Sequence, residues 1–364
     1  MSKKIKVTIT DVAKAADVAL GTVSRVLNNH ADVNAEIRTR VLEAARRLNY
    51  TRIRQRKISR DHANGQTVVG NIGLIFFGME DTLAQLPVVG AALQGIESAL
   101  SGRGRNLMLA SIPKGDRVPP FLLEKRIEGL ILKGPNQGLL PSESECELLT
   151  HIYRYPHVWL IGRLANARGD HCNFDTEAAG RLALEHFWAK GHRRIAFFNP
   201  KPGQSQFEKL KNGFLNAAAR IGCEASLLES EPSDKLVWPL PATTLQPKVN
   251  ALVDRWSALP LKNRPTALFV PSDRTAVQLY SALERRGLRA GTDVSVISCN
   301  NEQSLLSDLH PALTTIDVHA EAIGRHAVDQ LLWRIAHSGD ALPVQVLVEP
   351  QLVERDSVVQ LANP

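Results

Sequence analysis

From residue 68 onward the chain alternates short apolar runs with stretches of helical spacing, and no other feature of the sequence restricts the fold so tightly. The runs read VVGNIGLIFF, RNLMLASI, IEGLILK, HVWLIGR, RIAFFNP, TALFVPS and VSVISCN. Between them lie segments such as LPVVGAALQGIESALSGRG and DTEAAGRLALEHFWAKGH, of helical character. Repeated βα units make parallel sheets with helices on both faces, so a doubly wound α/β body is expected over residues 68–364. At roughly 300 residues it should divide into two lobes, with the chain crossing between them near residues 165, 300 and 338. Ligands of such sheets bind at the carboxyl ends of the strands, here in the cleft between the lobes.

The formal net charge of +7 is unevenly spread. Residues 1–62 carry 14 Lys and Arg against 6 Asp and Glu, and the remainder carries 30 against 31. A basic head on a nearly neutral body suits a nucleic-acid reader, unless the head is only a solvated basic tail. The apolar pattern decides for the reader. Ile9, Val12, Ala13 and Ala16 recur at helical spacing, a turn follows around Asp17 and Val18, and Val23, Val26 and Leu27 resume the spacing. A third helix after the capping residue Asn34 turns Ile37, Val41, Ala44, Ala45 and Leu48 inward and Arg38, Arg40, Arg46 and Arg47 outward. Three short helices around one small core, within residues 1–51, form a helix-turn-helix unit. Its second helix would enter the major groove with Leu20 and Gly21 at base edges, and with Thr22, Ser24 and Asn28 placed for phosphates. Arg25 is the candidate guanine reader, because its fork fits O6 and N7, a contact worth roughly 1–3 kcal/mol of discrimination; its alternative role is a phosphate contact.

The segment VTITDVAKAADVALGTVSRVLNNHADVNAEIRTRVLEAARRLNY resembles the DNA-binding head of the lactose/galactose repressor (LacI/GalR) family, without gaps. The resemblance implies DNA contacts from Ile9, Thr10, Leu20, Gly21, Thr22, Ser24, Arg25, Asn28, Asn34 and Tyr50. Two positions depart from the family. Ala19 stands where a serine usually caps the recognition helix, which removes a cap worth about 1 kcal/mol and a phosphate contact. Leu20 and Gly21 replace a larger polar pair, which shifts readout toward Arg25 and DNA shape.

Residues 52–67, within TRIRQRKISRDHANGQT, read as a basic hinge or linker. In the family this segment resembles a short helix, formed on DNA, that wedges a leucine into the minor groove. Here the corresponding positions are Arg52, Ile53, Arg56 and Ser59, and serine is a poor wedge. A one-residue shift would present Ile58, with Arg56 and Lys57 drawn to a narrowed groove; the alternative is a cationic tether that adds only salt-dependent affinity.

FDTEAAGRLALEHFWAKGHRRIAFF, PTALFVPSDRTAVQLYSALERRGL, DVSVIS and PALTTIDVHAEAIGRHAVDQLL are similar to the family's periplasmic-binding-protein-like ligand domain. The pocket positions that this implies are altered. Gly162 replaces an aspartate beside a retained Arg163, Leu210 replaces an arginine, Ser272 replaces an asparagine beside a retained Asp273, and Ser298, Cys299, Asn300 and Asn301 replace a signature ending in two aspartates. Such changes imply a ligand that is larger, less polar, differently charged or absent, compared with a free hexose. Asp273 is equally suited to cap the helix after it. Trp159 and Trp188 read as packing residues and Trp238 as a pocket candidate, while the histidines, including His192, read as structural.

Other classes fit poorly. MSKKIKVTIT turns polar before an apolar segment develops, and no later stretch approaches a membrane span, so a cytoplasmic protein is expected, nucleoid-associated when on DNA. Cys146, Cys172, Cys223 and Cys299 are scattered without metal-ligand spacing, which implies reduced thiols and no metal. Asp273, His186 and Ser272 lack a catalytic context, and the glycines of SGRGRN lie at a helix end, so neither enzyme nor cofactor chemistry is expected. The expectation is a homodimeric regulator, repression being the default, whose affinity for a palindromic operator in double-stranded DNA responds to a small-molecule effector such as a carbohydrate or derivative. Helices near Leu86 to Leu100 and Ala320 to Leu332 would supply the dimer surface by family analogy. The rivals are a regulator with a degenerate pocket controlled by abundance or a protein partner, and a solute-binding protein.

Overall fold

The computed structural model describes residues 8–27, 34–48, 70–80, 87–232, 238–241 and 244–361. The chain forms two compact units, residues 1–67 and 68–364.

The first unit contains helices α1 (Ile9–Ala16), α2 (Leu20–Leu27) and α3 (Ala35–Arg47). A capping box starts α1: the Asp11 amide donates to Thr8 Oγ1 at 3.4 Å, and the Thr8 amide donates to Asp11 Oδ2 at 2.8 Å. Asp17 ends it in the left-handed region at φ 50°, which short polar side chains tolerate and which creates the tight turn. Asn34 caps α3, its Oδ1 accepting from the Glu36 amide at 2.8 Å. Val12, Ala13, Ala16, Val23, Val26, Val41, Ala44 and Ala45 are buried together. With only valine and alanine at its centre, this core lets short helices approach closely. Arg40 and Arg47 reach the carbonyls of Asp17 and Ala15, where cations complement the carboxyl end of α1.

The second unit contains two six-stranded sheets. The first lobe holds β1 (Asn71–Phe77), α4 (Pro87–Gly102), β2 (Asn106–Ile112), α5 (Pro120–Leu123), β3 (Gly129–Lys133), α6 (Glu147–Ile152), β4 (His157–Leu160) and β5 (Asp170–Phe174). The second holds α7 (Thr176–Ala189), β6 (Arg194–Asn199), α8 (Ser205–Ile221), β7 (Glu224–Glu229), α9 (Gln246–Ser257), β8 (Ala267–Phe269), α10 (Asp273–Glu284), β9 (Ser295–Asn300), α11 (Gln303–Leu306) and β10 (Thr314–Asp317). The chain then returns to the first lobe for α12 (Ala320–Ala336) and β11 (Gln345–Val348), and crosses again for β12 (Gln351–Val353). The sheet orders are β11-β5-β4-β3-β1-β2 and β12-β10-β9-β8-β6-β7, parallel except where β12 pairs with β10.

The crossings therefore fall after β5, after β10 and after β11, each later than the expected positions near residues 165, 300 and 338. Unrecognised strands account for the shift. β5 (DHCNF) is buried although three of its residues are polar, with Arg334 and Gln330 bonded to Asp170 and Gln206 to Asn173, and β10 (TTID), β11 (QVLV) and β12 (QLV) are short strands broken by polar residues. β7 (EASLLE) is a largely exposed edge strand.

Each lobe is held to its neighbour helices by a pair of glycines. A Cβ on Gly95 of α4 would lie 2.0 Å from the Glu321 carbonyl of α12, and one on Gly324 would lie 2.0 Å from that of Ala92. Gly180 and Gly213 repeat the arrangement between α7 and α8, against the Leu210 and Glu177 carbonyls at 2.0 Å. Any larger residue would force either helix pair apart. The buried faces of α4 and α12 thus pack within the chain, and Gly90, Gln94, Glu97, Glu321, Arg325 and His326 face outward.

Candidate functional site

In the first unit, α2 turns Val23 and Val26 into the core and leaves Arg25 exposed. Leu20, at its first turn, is 50% exposed, so its side chain is available to a partner surface. A Cβ on Gly21 would meet nothing within 4 Å, so packing does not require glycine there. Ala19 offers no side-chain cap, and only its carbonyl engages the helix, accepting from the Thr22 amide at 2.9 Å. Thr22 is half-buried rather than outward, while Thr10 and Asn34 are exposed. Asn28, Tyr50, Arg56, Lys57, Ile58 and Ser59 lie outside the described residues, as do the side chains of Ile9 and Ser24.

In the second unit a cavity of about 120 Å³ lies between the lobes, where the carboxyl ends of both sets of strands converge. Lys133, Asn136, Ile161 and Phe174 of the first lobe line it, with the first turn of α4. The second lobe contributes Lys201, Gln204, Gln206, Leu210, Ser272, Arg274, Asn300 and Glu302, among others. Ile161 (φ 48°), just after β4, and Asn300 (φ 121°), the last residue of β9, have backbone conformations that L-residues rarely adopt. Strain of this kind persists where surrounding structure enforces it, and it concentrates at ligand sites.

Hydrogen bonds bridge the lobes around this cavity. The Ser205 amide donates to the Asn136 carbonyl at 2.7 Å, Gln137 Nε2 to the Pro202 carbonyl at 3.0 Å, and Gln206 Nε2 to Asn173 Oδ1 at 3.2 Å. The Val88 amide, in the first turn of α4, donates to Glu302 Oε1 at 2.7 Å. Burial and neighbouring Asp273 push the Glu302 carboxyl up to about 7.

Of the seven ligand positions expected from the sequence, Leu210, Ser272 and Asn300 line the cavity. Gly162 adjoins it at φ 96°, and a Cβ there would lie 2.8 Å from Asn136 Oδ1 and 3.0 Å from Gln206 Nε2. These amides fill the space an acidic side chain would need. Arg163 turns to the Gly169 carbonyl, outside the lining.

Asp273 departs from both expected roles. Ser272 caps α10, its Oγ accepting from the Thr275 amide at 3.3 Å, whereas Asp273 is fully buried outside the lining. Asp273 accepts from Ser298 Oγ, from Thr315 Oγ1 at 2.8 Å and from the Glu302 amide at 2.7 Å, and so holds the loop that carries Asn300 and Glu302. Burial pushes its carboxyl up to about 6 despite these donors.

Trp238 is likewise no part of the lining. It crosses to the first lobe, where its ring covers Gly78 and Gly115 and meets Phe77 edge-on at 6.2 Å. The Leu240 amide donates to the Gly78 carbonyl and the Glu80 amide to the Leu240 carbonyl, both at 3.0 Å. Residues 238–240 thus continue beyond β1 as a strap between the lobes. Trp159 is buried in the core, and Trp188 lies half-buried beneath Arg193, 3.8 Å from ring centre to guanidinium. His192 is buried, with Nδ1 2.8 Å from Thr266 Oγ1.

The sequence reading missed Lys133, Asn136, Lys201, Gln204, Gln206, Arg274 and Glu302. Lys133, Lys201, Arg274 and Glu302 end or closely follow β3, β6, β8 and β9, so the strand-end rule was the available signal. Among the described residues no group of three or more His, Cys, Asp or Glu could hold a metal, and no helix is long and apolar enough to cross a membrane.

Comparison with known proteins bears on both units. The sequence model of bacterial regulatory proteins, lacI family, matches residues 8–52, and that of the periplasmic binding protein-like domain matches residues 184–358. The HTH-type transcriptional repressor PurR of Edwardsiella ictaluri is 30% identical over 361 residues, 96% of each chain. The chain belongs to the lacI family of bacterial regulatory proteins. It is a DNA-binding transcriptional regulator with a periplasmic-binding-protein-like body. The ribose operon repressor of Haemophilus influenzae is 27% identical, covering 97% of this chain and 99% of its own. The solved lac repressor dimer, bound to operator and the anti-inducer ONPF, shares the fold at TM-score 0.60 and 24% identity, over 98% of this chain and 100% of that one. The regulator CelR in complex with cellobiose does so at TM-score 0.61 and 22% identity, over 96% and 99%.

Proposed function

We propose that this chain represses transcription in the cytoplasm by binding a two-fold symmetric operator as a homodimer, and that a small molecule held between the lobes changes its operator affinity. One helix-turn-helix unit reads a half-site, so two copies are needed for specific binding. The outward faces of α4 and α12 are the proposed dimer surface. Leu20, Gly21 and Arg25 are assigned to base edges, and Ile9, Thr10, Thr22, Ser24, Asn28, Asn34 and Tyr50 to positioning on the DNA backbone. Arg56, Lys57, Ile58 and Ser59 are assigned to the hinge contact. No catalytic step is assigned.

The observation that carries the effector reading is the lining of the interlobe cavity, drawn from strand ends of both lobes and bridged by bonds such as Ser205 to Asn136. A ligand there touches both lobes at once, and its binding energy is linked to their arrangement. Related regulators have been solved with cellobiose and with ribose bound.

Selection from a random DNA library by the intact protein, followed by affinity measurements at two salt concentrations, tests this reading. A two-fold symmetric site is expected, and asymmetric binding as tight to scrambled DNA contradicts it. Arg25→Ala should relax base preference at one position of each half-site, by about 1–3 kcal/mol, whereas Lys57→Ala should lower affinity for all sequences and flatten the salt dependence.

A further inference from the structure

We propose that residues 238–240 form a latch that holds the cleft shut at the edge opposite its hinge, so that the lobes part only when Trp238 leaves its seat on the first lobe.

The sheet orders locate both hinge and latch. The chain crosses between the lobes after β5, after β10 and after β11. β5 and β11 share one edge of the first sheet, and β10 and β12 share one edge of the second, so these crossings form a hinge along that side. β1 and β2 lie at the other edge of the first sheet, and β6 and β7 at the other edge of the second. Residues 238–240 follow β7 in the chain and dock just beyond β1, which joins the two edges farthest from the hinge. In a hinge rotation the separation of facing groups grows with distance from the axis, so a contact at the far edge resists opening with the longest lever.

The seat fits the ring. Gly78 and Gly115 follow β1 and β2 at φ 72° and 66°, and a Cβ on them would lie 2.1 Å and 3.0 Å from the Trp238 ring. Two positions without side chains thus leave a hollow that the indole fills. There it packs with Phe77 and the core of the first lobe, although its place in the chain is within the second. The main chain follows the ring: Leu240 bonds through both its amide and its carbonyl, to Gly78 and Glu80, and pairs with Met79 as a parallel strand would. A filled hollow and a paired backbone fix the side chain and the register together. None of these residues lines the cavity, so the latch acts through lobe position, whatever the cavity holds.

Two amides outside the strap report on the cleft. Ser205 is the first residue of α8 and Val88 the second of α4, and first-turn amides have no partner within their own helix. Both donate across the cleft at 2.7 Å, Ser205 to the Asn136 carbonyl and Val88 to Glu302 Oε1. Their protection from hydrogen exchange therefore depends on the lobes staying together.

The test follows hydrogen exchange in the full-length protein at one pH, for the parent, Trp238→Ala, Trp238→Phe and Leu240→Pro. The last of these removes the amide that bonds Gly78. Exchange at Val88 and Ser205 should be about fivefold or more faster in Trp238→Ala and Leu240→Pro, with β3 and β8 as protected as in the parent. Trp238→Phe, which keeps an aromatic ring in the hollow, should stay close to the parent. A rise confined to Glu80 and its neighbours, with Val88 and Ser205 unmoved, overturns the proposal. A rise spread equally over β3 and β8 also overturns it, because Trp238 would then support folding in general and not closure.

Discussion

Each lobe buries one aspartate to within 1% exposure, and the two titrate in opposite directions. Asp170 of the first lobe meets the Arg334 guanidinium, with Nη2 at 2.7 Å and Nε at 2.9 Å, and also accepts from Gln330 Nε2 at 2.7 Å and the Val344 amide at 2.8 Å. Burial pushes its carboxyl up, but these donors outweigh it and hold the group below the ordinary carboxylate value. Asp273 of the second lobe accepts from two hydroxyls and one amide, with the Arg355 charge acting only weakly, and burial wins. The deeper desolvation of Asp273 and the countercharge beside Asp170 together set the opposite signs. The first lobe uses its aspartate to lock α12 and the β11 approach to β5. The second places a reluctant charge under the loop that reaches the cavity.

Substitutions at the buried carboxylates and their partners would break or sharpen that contrast. Asp170→Ala leaves a largely buried arginine without its partner and should lose on the order of 3–5 kcal/mol of stability in urea unfolding at pH 7, whereas Asp170→Leu/Arg334→Met should recover most of it. A loss under about 1 kcal/mol would remove the distinction between the lobes. Asp273→Ala should lose less, about 2 kcal/mol at pH 8, because it removes a penalised charge along with three hydrogen bonds.

The pH dependence gives the sign. Native Asp273 and Glu302 hold their protons to about 6 and about 7, above their ordinary values of 3.8 and 4.5, so across that window the folded state binds more protons than the unfolded one. Their contribution to stability is therefore greatest below the ordinary values and declines as pH rises through 6 and 7. His171 and His192, lowered by burial to about 4, act in the opposite sense between about 4 and 6.5. The Asp273→Ala deficit should thus widen as pH falls from 8 to 5. Glu302→Gln isolates the second carboxyl: the variant should be more stable than the parent by about 1–2 kcal/mol at pH 8 and indistinguishable at pH 5. A pH-independent difference would contradict the buried titration.

The smallest effect concerns the strap. A methyl on Gly78 would come within 2.1 Å of the Trp238 ring at a backbone angle of φ 72° that disfavours side chains. Gly78→Ala should displace Trp238 with about 1 kcal/mol lost and a red-shifted fluorescence component, while leaving each lobe's far-ultraviolet signal intact.

Much of this organisation was legible in the sequence, for reasons that also mark where reading stopped. Helical spacing in the head, the Asn34 cap and the seven apolar runs became α1 to α3 and seven of the strands, because burial selects apolar residues at regular intervals. β5 escaped because its polar side chains are satisfied by partners distant in sequence, such as Arg334 for Asp170 and Gln206 for Asn173. That omission displaced the first lobe crossing. At the cavity, matching positions to the resemblance found Leu210, Ser272 and Asn300, but it looked for groups that had been lost. Lys133, Lys201 and Arg274 were visible only as residues at strand ends, and their convergence depends on two lobes meeting. Trp238 was misplaced because loop composition cannot say which lobe a loop docks on.

The coupling between cleft and operator can be tested without knowing the ligand. The pair Asn136→Cys/Ser205→Cys, at the 2.7 Å backbone hydrogen bond between the lobes, would lock them together on oxidation. Operator affinity of this variant should be measured oxidised and reduced, on the DNA recovered by selection, with the parent protein as control for its own four cysteines. A change of about fivefold or more, reversed by reductant and absent in the parent, is the predicted result. Equal affinity in both states, with the cross-link verified, would mean that the lobes do not control the head.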